Sequence, residues 1–408
     1  MTHLCMANLP SYGHVLPSLE VIRELVARGH RVSYANDPAF ADVITAAGAD
    51  FVPYRSTLLS YLDGRAEWPS DEIAHRDLFL DDAIAMTPQL RAAFQHDRPD
   101  LVLYDQGVGA VRVLAEEWRV PHVMFSPNSV PDRGDDELLR EFEERRRDPR
   151  FSVHYGRWAE WLRANGIPSG YLGRPARELA LIPRVLQPNP GRVDSRRTTF
   201  VGPCFGARSE AWQPPAGVER VLLVSLGSTF TSKPGFYRDC VAAFGDLPGW
   251  HVVLQIGKHV DPAALGELPG TVEVRDWVPQ LAVLEKASAF VTHAGMGGCV
   301  EGLFHGVPMI AVPQDPHTDQ PDNADVLVRL GVGRRIDPGR VTAGVLRESL
   351  LELVGSPEVA ARLAEVRQEL MAEGGTARAA DLIEAELAAA RGIGGHSAAQ
   401  PGRTRPVS

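Results

Sequence analysis

Short apolar runs alternate with stretches whose apolar residues recur every three or four positions, and this rhythm occurs twice along the 408-residue chain. The run His3–Asn8 breaks at Pro10, Ser11 and Gly13. Pro17 then predicts a helix start, with Leu19, Ile22 and Val26 on one face and Gly29 at its end. Strands at Arg31–Ala35, Phe51–Pro53, Leu101–Tyr104 and His122–Phe125 follow, with helices near Ala39–Ala47 and Val108–Trp118 between them. Beyond a stretch rich in Gly and Pro, Phe200–Glu219, the rhythm restarts. Strands are predicted at Arg220–Ser225, His251–Ile256, Val272–Val274, Ala289–Thr292 and Met309–Val312, and helices at Phe236–Phe244, Leu281–Lys286 and Cys299–His305. Long helices at Ala343–Val354 and Glu358–Ala390 close the pattern.

Apolar strands alternating with amphipathic helices predict parallel sheets covered on both faces, an α/β class. The expected organisation is one α/β unit over residues 1–202, a linker over 203–219 and a second unit over 220–391. The last residues, 392–408, are rich in Gly, Ser and Pro and are expected to be disordered.

Composition narrows the function. A net charge of −10 argues against nucleic acid or an anionic membrane as the main partner. Nothing approaches the roughly 18 apolar residues of a membrane span. Cys5, Cys204, Cys240 and Cys299 are scattered without a CxxC pair, which fits a reducing cytoplasm. The charge run Arg133–Arg150 reads as a solvated helix or loop, and Trp158 and Trp161 as core before ligand pocket.

Candidate chemistry concentrates between Asp276 and Gln320. In Thr292-His293-Ala294-Gly295-Met296-Gly297-Gly298 a buried strand passes into a helix. Glycines there let the backbone approach closely, and the helix N-terminus offers free N–H groups to a phosphate, with His293 adding a hydrogen bond. Such a turn also occurs simply to pack tightly. A second strand-end turn, Ser225-Leu226-Gly227-Ser228-Thr229, brings hydroxyls that suit the same anion or cap the next segment. Trp277 suits stacking on a nucleobase whose edge the neighbouring Val278 amide and Gln280 would read, or the core. Glu301 suits ribose hydroxyls, and Asp319 and Gln320 suit sugar hydroxyls; singly, each suits an ordinary surface. In the first unit, His14 precedes a helix and Asp105 ends a strand, so both are expected at the same sheet edge. A histidine held by a carboxylate is a competent general base; the alternative is a turn histidine and a helix cap.

Taken in order, DWVPQ, THAGMGG, Glu301, GVPMIAVPQ and DQ resemble the nucleotide-sugar signature of the inverting UDP-glycosyltransferases. SYGHVLPSLEVIRELVARGHRVSYA, RPDLVLYD and LPGWHVVLQIG are similar to the actinomycete macrolide glycosyltransferases of the oleandomycin type. The likeness spans nearly the whole chain short of the tail. It implies the GT-B fold: two Rossmann-like α/β/α domains facing each other across a cleft, the C-terminal helix returning to the N-terminal one.

The resemblance also implies roles. Trp277 would stack on uracil, with Val278 and Gln280 holding base and ribose, and Glu301 the ribose. His293, Ser228 and the backbone from Gly295 through Gly297 and Gly298 to Cys299 would hold the diphosphate, and Asp319 and Gln320 the sugar. His14 would be the base and Asp105 its partner. The implied reaction moves a hexose, glucose in the first place, from a UDP-sugar to a macrolide or flavonoid hydroxyl with inversion, inactivating or tailoring an antibiotic. No cofactor and no metal are expected, and the chain contains no Asp-x-Asp triplet. A cytoplasmic monomer or homodimer follows. Two departures stand out: Cys299 replaces the usual small polar residue and suggests a weakly reactive thiol, and the loop Gln314–Asn323 is long. Aromatic residues Tyr61, Trp68, Phe142, Tyr155 and Trp158 are expected near the acceptor. A nucleotide-sugar epimerase or a non-catalytic binder would share these features, whereas a dinucleotide-dependent oxidoreductase needs a G-x-G-x-x-G that LPSYGHVLP lacks.

Overall fold

The computed structural model describes residues 1–62, 65–168, 173–206, 211–228 and 231–396. Its first sheet contains β1 (His3–Ala7), β2 (Arg31–Asn36), β3 (Asp50–Pro53), β4 (Leu101–Asp105), β5 (His122–Ser126), β6 (Glu178–Ala180) and β7 (Thr198–Phe200). The second contains β8 (Arg220–Ser225), β9 (Trp250–Gln255), β10 (Val272–Arg275), β11 (Ala287–Thr292), β12 (Met309–Ala311) and β13 (Gly333–Arg335). The spatial orders are β3-β2-β1-β4-β5-β6-β7 and β10-β9-β8-β11-β12-β13, with every pairing parallel. Chain order therefore reverses between β1 and β4 in one sheet and between β8 and β11 in the other. At such reversals the helices leave on opposite faces and open a crevice at the carboxyl ends of the strands.

Period-two alternation divides each sheet between two cores. Leu4, Met6, Val32, Tyr34, Leu101 and Leu103 face one side of the first sheet, while Cys5, Ala7, Ala35, Val102 and Tyr104 face the other. The second sheet splits likewise, Leu223, Val253, Phe290 and Met309 against Leu222, Val224, Val252 and Ile310. The helix Gly375–His396 crosses back to the first sheet, where Ala379, Ala380, Leu382, Ile383 and Leu387 complete the core containing Leu4. Around them Arg28 meets Asp381 at 2.8 Å and Glu384 at 2.7 Å, and His30 meets Glu384 at 3.0 Å. Exposed ion pairs add little energy, so the apolar face holds this helix.

Several expectations shift. The first helix is Tyr12–Ala27, with Pro17 inside it, because the Ser11 carbonyl already accepts from His14 at 3.0 Å and Val15 at 2.8 Å. Glu72–Phe94 is a helix without a clean apolar stripe: Asp82 and Thr87 are buried among Leu80, Met86 and Leu90. Strands β6, β7 and β13 have three residues each, too few for a pattern. The helix expected over Glu358–Ala390 is two, Pro357–Met371 and Gly375–His396, because the Gly375 N–H turns away to the Val201 carbonyl at 2.6 Å. Asp135–Arg145 is a helix with no buried residue, and Trp158 and Trp161 pack in the core. Positions 207–210 of the expected linker, Thr229 of the expected hydroxyl turn and 397–408 of the expected tail lie outside the described residues, while 392–396 are helical. Among the described residues, no helix is long and apolar enough to cross a membrane.

Both chain crossings meet at Glu373. Its Oε1 accepts from the Arg184 N–H at 2.8 Å, its side chain lies against Gly202, and its Oε2 has no partner among the described residues. Burial pushes this carboxyl up to about 7 against the pull of Arg184. A folded value raised above the unfolded one gives stability that is complete below about 4.5 and lost as pH rises through about 7. Glu373→Gln is therefore expected to melt about 2–4 °C above the parent at pH 8 and with it at pH 5. Identical pH dependence of melting in the two proteins would remove this role.

Candidate active site

The first crevice forms around His14. The first-turn position of His14 on its helix sets its ring over the end of β4, where its Nδ1 lies 2.7 Å from Asp105 Oδ2. Asp105 is buried, and its Oδ1 accepts from the Gly107 N–H at 2.7 Å, so both oxygens are engaged. An ionised Asp105 can only accept, which places the proton on Nδ1 and leaves Nε2 as the basic nitrogen. Burial works against a charged imidazole, but Asp105 and then Asp319 outweigh it and hold His14 above the ordinary histidine value. Asn8, buried at the end of β1, steadies the helix start by donating to the His14 carbonyl at 2.8 Å and to Ser18 Oγ at 3.2 Å.

Across the cleft the second crevice is built around His293. The turn after β11 forces Ala294 to φ 62, an unusual conformation for a residue with a side chain. It is pinned by Thr292 Oγ1, which accepts from the Ala294 N–H at 3.2 Å, and by Asn323 Nδ2, which donates to the Ala294 carbonyl at 2.9 Å. The imidazole lies between two glycines. A Cβ on Gly227 would stand 2.6 Å from its Cε1, and one on Gly295 would stand 2.4 Å from its Nε2. Burial lowers the His293 value to about 4, so the ring is neutral at pH 7 and donates one N–H.

Gly295 caps the helix Met296–His305, which starts earlier than the expected Cys299. The N–H groups of Met296, Gly297 and Gly298 therefore open the helix toward the cleft. Cys299 does not share that role. Its N–H already donates to the Gly295 carbonyl at 3.1 Å, and its side chain is wholly buried in the core. Burial raises its thiol, which corrects the expectation of a reactive cysteine. Exposed Ser228 faces the same cleft beside Gly227.

Trp277 lies at the cleft rim with 49% of its surface exposed. The Val278 N–H is engaged by Gln255 Oε1 at 3.1 Å, leaving the Val278 carbonyl as its polar backbone group for a ligand. Gln255 also donates to the Gly227 carbonyl at 3.0 Å, tying the two turns together. Sequence reasoning passed it over; its signal was a lone polar residue closing the apolar strand β9. Gln280 Nε2 donates to Glu301 Oε2 at 2.5 Å, so these two act as one unit.

Gln320 starts a helix, Gln320–Arg329, that shortens the expected long loop. Its Oε1 accepts from the N–H groups of Gln314 at 2.7 Å and Asp315 at 3.3 Å, which leaves Nε2 for a ligand. Asp319 accepts from Asn323 at 3.0 Å. Burial raises its carboxyl value, opposed by Asn323 and by His14 across the cleft.

His14, Ser228, Trp277, Val278, Gln280, His293, Gly295, Gly297, Gly298, Glu301, Asp319 and Gln320 thus line one cleft of about 550 Å³, with Asp105 directly behind His14. None of the described lining residues is Lys or Arg. The apolar end of the cleft is formed by Leu62, Trp68 and Phe79, with His75 and Asn128 beside them. Of the aromatic residues expected there, only Trp68 is in the lining; Tyr61 packs on Trp68 at 5.2 Å, Phe142 on Tyr155 at 4.5 Å, and Trp158 on Trp161 at 5.1 Å. Among the described residues no group of three or more His, Cys, Asp or Glu is arranged to hold a metal ion.

Two parallel-sheet units with facing crevices, one holding a carboxylate-paired histidine and the other a glycine-rich helix start, match a glycosyltransferase of GT-B architecture. The chain belongs to the UDP-glucuronosyl and UDP-glucosyl transferase family, whose model matches residues 183–369, and it is a glycosyltransferase. Oleandomycin glycosyltransferase of Streptomyces antibioticus is 54% identical over 394 residues, 95% of this chain and 91% of that protein. The crystal structure of the kitacinnamycin glycosyltransferase superposes with a TM-score of 0.86 at 52% identity, covering 95% of this chain and 99% of that one. CalG4, the calicheamicin glycosyltransferase, follows with a TM-score of 0.80 at 32% identity over 95% and 98% of the two chains. Membership sets aside the epimerase, oxidoreductase and non-catalytic readings.

Proposed function

We propose that the enzyme transfers glucose from a UDP-sugar to a hydroxyl of a large apolar natural product of the macrolide type, with inversion. One observation carries this reading: the His14–Asp105 pair and the His293 cradle stand at the two reversal crevices, with Asp319 close enough to His14 to perturb it electrostatically. A sugar held by Asp319 and Gln320 then lies between base and leaving group.

His14 Nε2 takes the proton of the acceptor hydroxyl as its oxygen attacks the anomeric carbon. The bond from that carbon to the diphosphate breaks, and its electron pair leaves with UDP. Asp105 stabilises the imidazolium, and the N–H groups of Met296, Gly297 and Gly298, with His293 and Ser228, stabilise the diphosphate. A single in-line displacement turns an α-linked donor into a β-glycoside. Every group named here belongs to the protein, so the scheme calls for no cofactor and no metal. Trp277 stacks on the base, and Gln280 with Glu301 holds the ribose. The apolar end at Trp68 and Phe79 accepts the aglycone. The names of the similar proteins, for oleandomycin, kitacinnamycin and calicheamicin, support a natural-product acceptor. Glycosylating an antibiotic would either tailor or inactivate it. Four buried, unpaired cysteines suit a reducing cytoplasm.

Incubation with UDP-glucose, dTDP-glucose and UDP-galactose against macrolide and flavonoid acceptors, read by mass spectrometry and by NMR of the anomeric proton, tests this. The expected result is a β-linked hexose adduct of a macrolide, formed fastest from UDP-glucose. An α-linked product would overturn the base role of His14, and no adduct with any macrolide would overturn the acceptor class.

A further inference from the structure

Tyr12 opens the helix that carries His14 and lines the same cleft. Two aromatic rings hold it. Phe40, buried in the first unit's core, meets it edge-on with ring centroids 5.1 Å apart. Trp277, from the second unit, lies 5.4 Å away with planes at 44°. An interposed nucleobase would need about 7 Å, two contact gaps of about 3.5 Å each. No base fits between these rings, so a base on Trp277 must use its other face, and Tyr12 backs the platform.

We propose that Tyr12 is a positioning residue: its contact with Trp277 couples occupation of the nucleobase subsite to the placement of His14. This rests on the reading of Trp277 as base platform and His14 as general base. Tyr12 and His14 share one helical turn, whose start is held by the Ser11 carbonyl and the Asn8 side chain. Asp105 sets the direction of the imidazole from behind, whereas its distance from the sugar held in the second unit calls for a contact that reaches across the cleft. The chain Phe40–Tyr12–Trp277 supplies that distance. A base that immobilises Trp277 immobilises the Tyr12 ring, and with it the turn that presents His14 to Asp319. The ring does this work; the hydroxyl makes no contact that the coupling needs.

A double-mutant cycle tests the coupling. Tyr12→Ala is expected to lower kcat about three- to tenfold, the effect of losing one aromatic pair, with a smaller change in UDP affinity by calorimetry. Its rate against pH should keep the parent midpoint, because Asp105 is untouched. Tyr12→Phe should restore the parent rate. In Trp277→Ala the Tyr12→Ala change should cost nothing further in kcat, since the coupling partner is gone. Additive losses across the cycle, or a Tyr12→Phe enzyme as slow as Tyr12→Ala, would overturn the proposal. Trp277→Ala with unchanged UDP affinity would instead overturn the base-platform reading beneath it, and the two failures are distinct. A Tyr12→Leu variant checks folding: it keeps bulk against Phe40 and should melt with the parent while showing the Tyr12→Ala rate.

Discussion

Replacing His14 by alanine is expected to lower kcat about a thousandfold while leaving UDP affinity unchanged, because the proposed base and the proposed diphosphate cradle stand on different sheets. General-base catalysis contributes about 10²- to 10⁴-fold, and the His14 arrangement suits that role: Nδ1 is locked to Asp105 at 2.7 Å, and the side chain is only 17% exposed. The pH profile follows from the same contacts. His14 titrates above the ordinary histidine value of 6.5, and only its neutral form accepts a proton, so activity should fall as pH drops through that raised value. Linkage runs the other way. The stability gained from the charged pair is complete below about 6.5 and is lost as pH rises through the folded value, so the site is least tightly held where it works best. Asp105→Asn should move the acid limb to lower pH and slow turnover severely, since an amide can present its N–H to Nδ1 and fix the wrong tautomer. Steady-state rates from pH 5 to 9 and calorimetry with UDP check both. A His14→Ala enzyme with near-parental kcat would leave the chain without an identified base.

How much of this could be read beforehand depended on what each signal requires. The parallel sheets were legible because strands buried on both faces form short continuous apolar runs, and β1, β4, β8 and β11 are such runs. His14, Asp105 and His293 were legible because a polar residue just beyond such a run must emerge at the sheet edge. What escaped was pairing across space. Gln255, Asn323 and Asn8 look like isolated polar residues, yet each ties two turns together over separations no local pattern encodes. Cys299 was misplaced because the helix begins at Met296, and a shift of three positions rotates a residue most of a turn, from mouth to core. The lining of the cleft's apolar end escaped for a similar reason. Phe79 and His75 belong to a helix whose buried Asp82 and Thr87 blur its apolar stripe, so their face was invisible, while Tyr155 packs on Phe142 and Trp158 on Trp161 and the core.

Gly227→Ala is expected to weaken UDP binding about 10- to 100-fold and to reduce kcat/KM about 10²- to 10³-fold, comparable to losing a donor to a developing anion. Gly227 has φ 78, where an alanine is strained, and the new Cβ would lie 2.6 Å from His293 Cε1. Something must move. The turn is restrained by Gln255 at 3.0 Å, and the imidazole cannot retreat far, because the Gly295 backbone closes its other side. Whichever gives way, Ser228 and His293 no longer converge on one point, while His14 and its pH limb stay as they were. Melting should fall by only a few degrees, as about 1–3 kcal/mol of local strain predicts. Parental UDP affinity in this variant would mean that His293 does not touch the diphosphate. Sensitivity to so small a displacement follows from how the cradle is made. With no Lys or Arg among the described residues lining the cleft, and with His293 held neutral near 4, none of the described side chains beside the Gly227 turn is a mobile cation that can follow a shifted phosphate. In the proposed cradle affinity would reside in directed N–H groups, which weaken steeply with angle. Added salt should therefore weaken UDP binding little, while one methyl group at Gly227 should weaken it greatly.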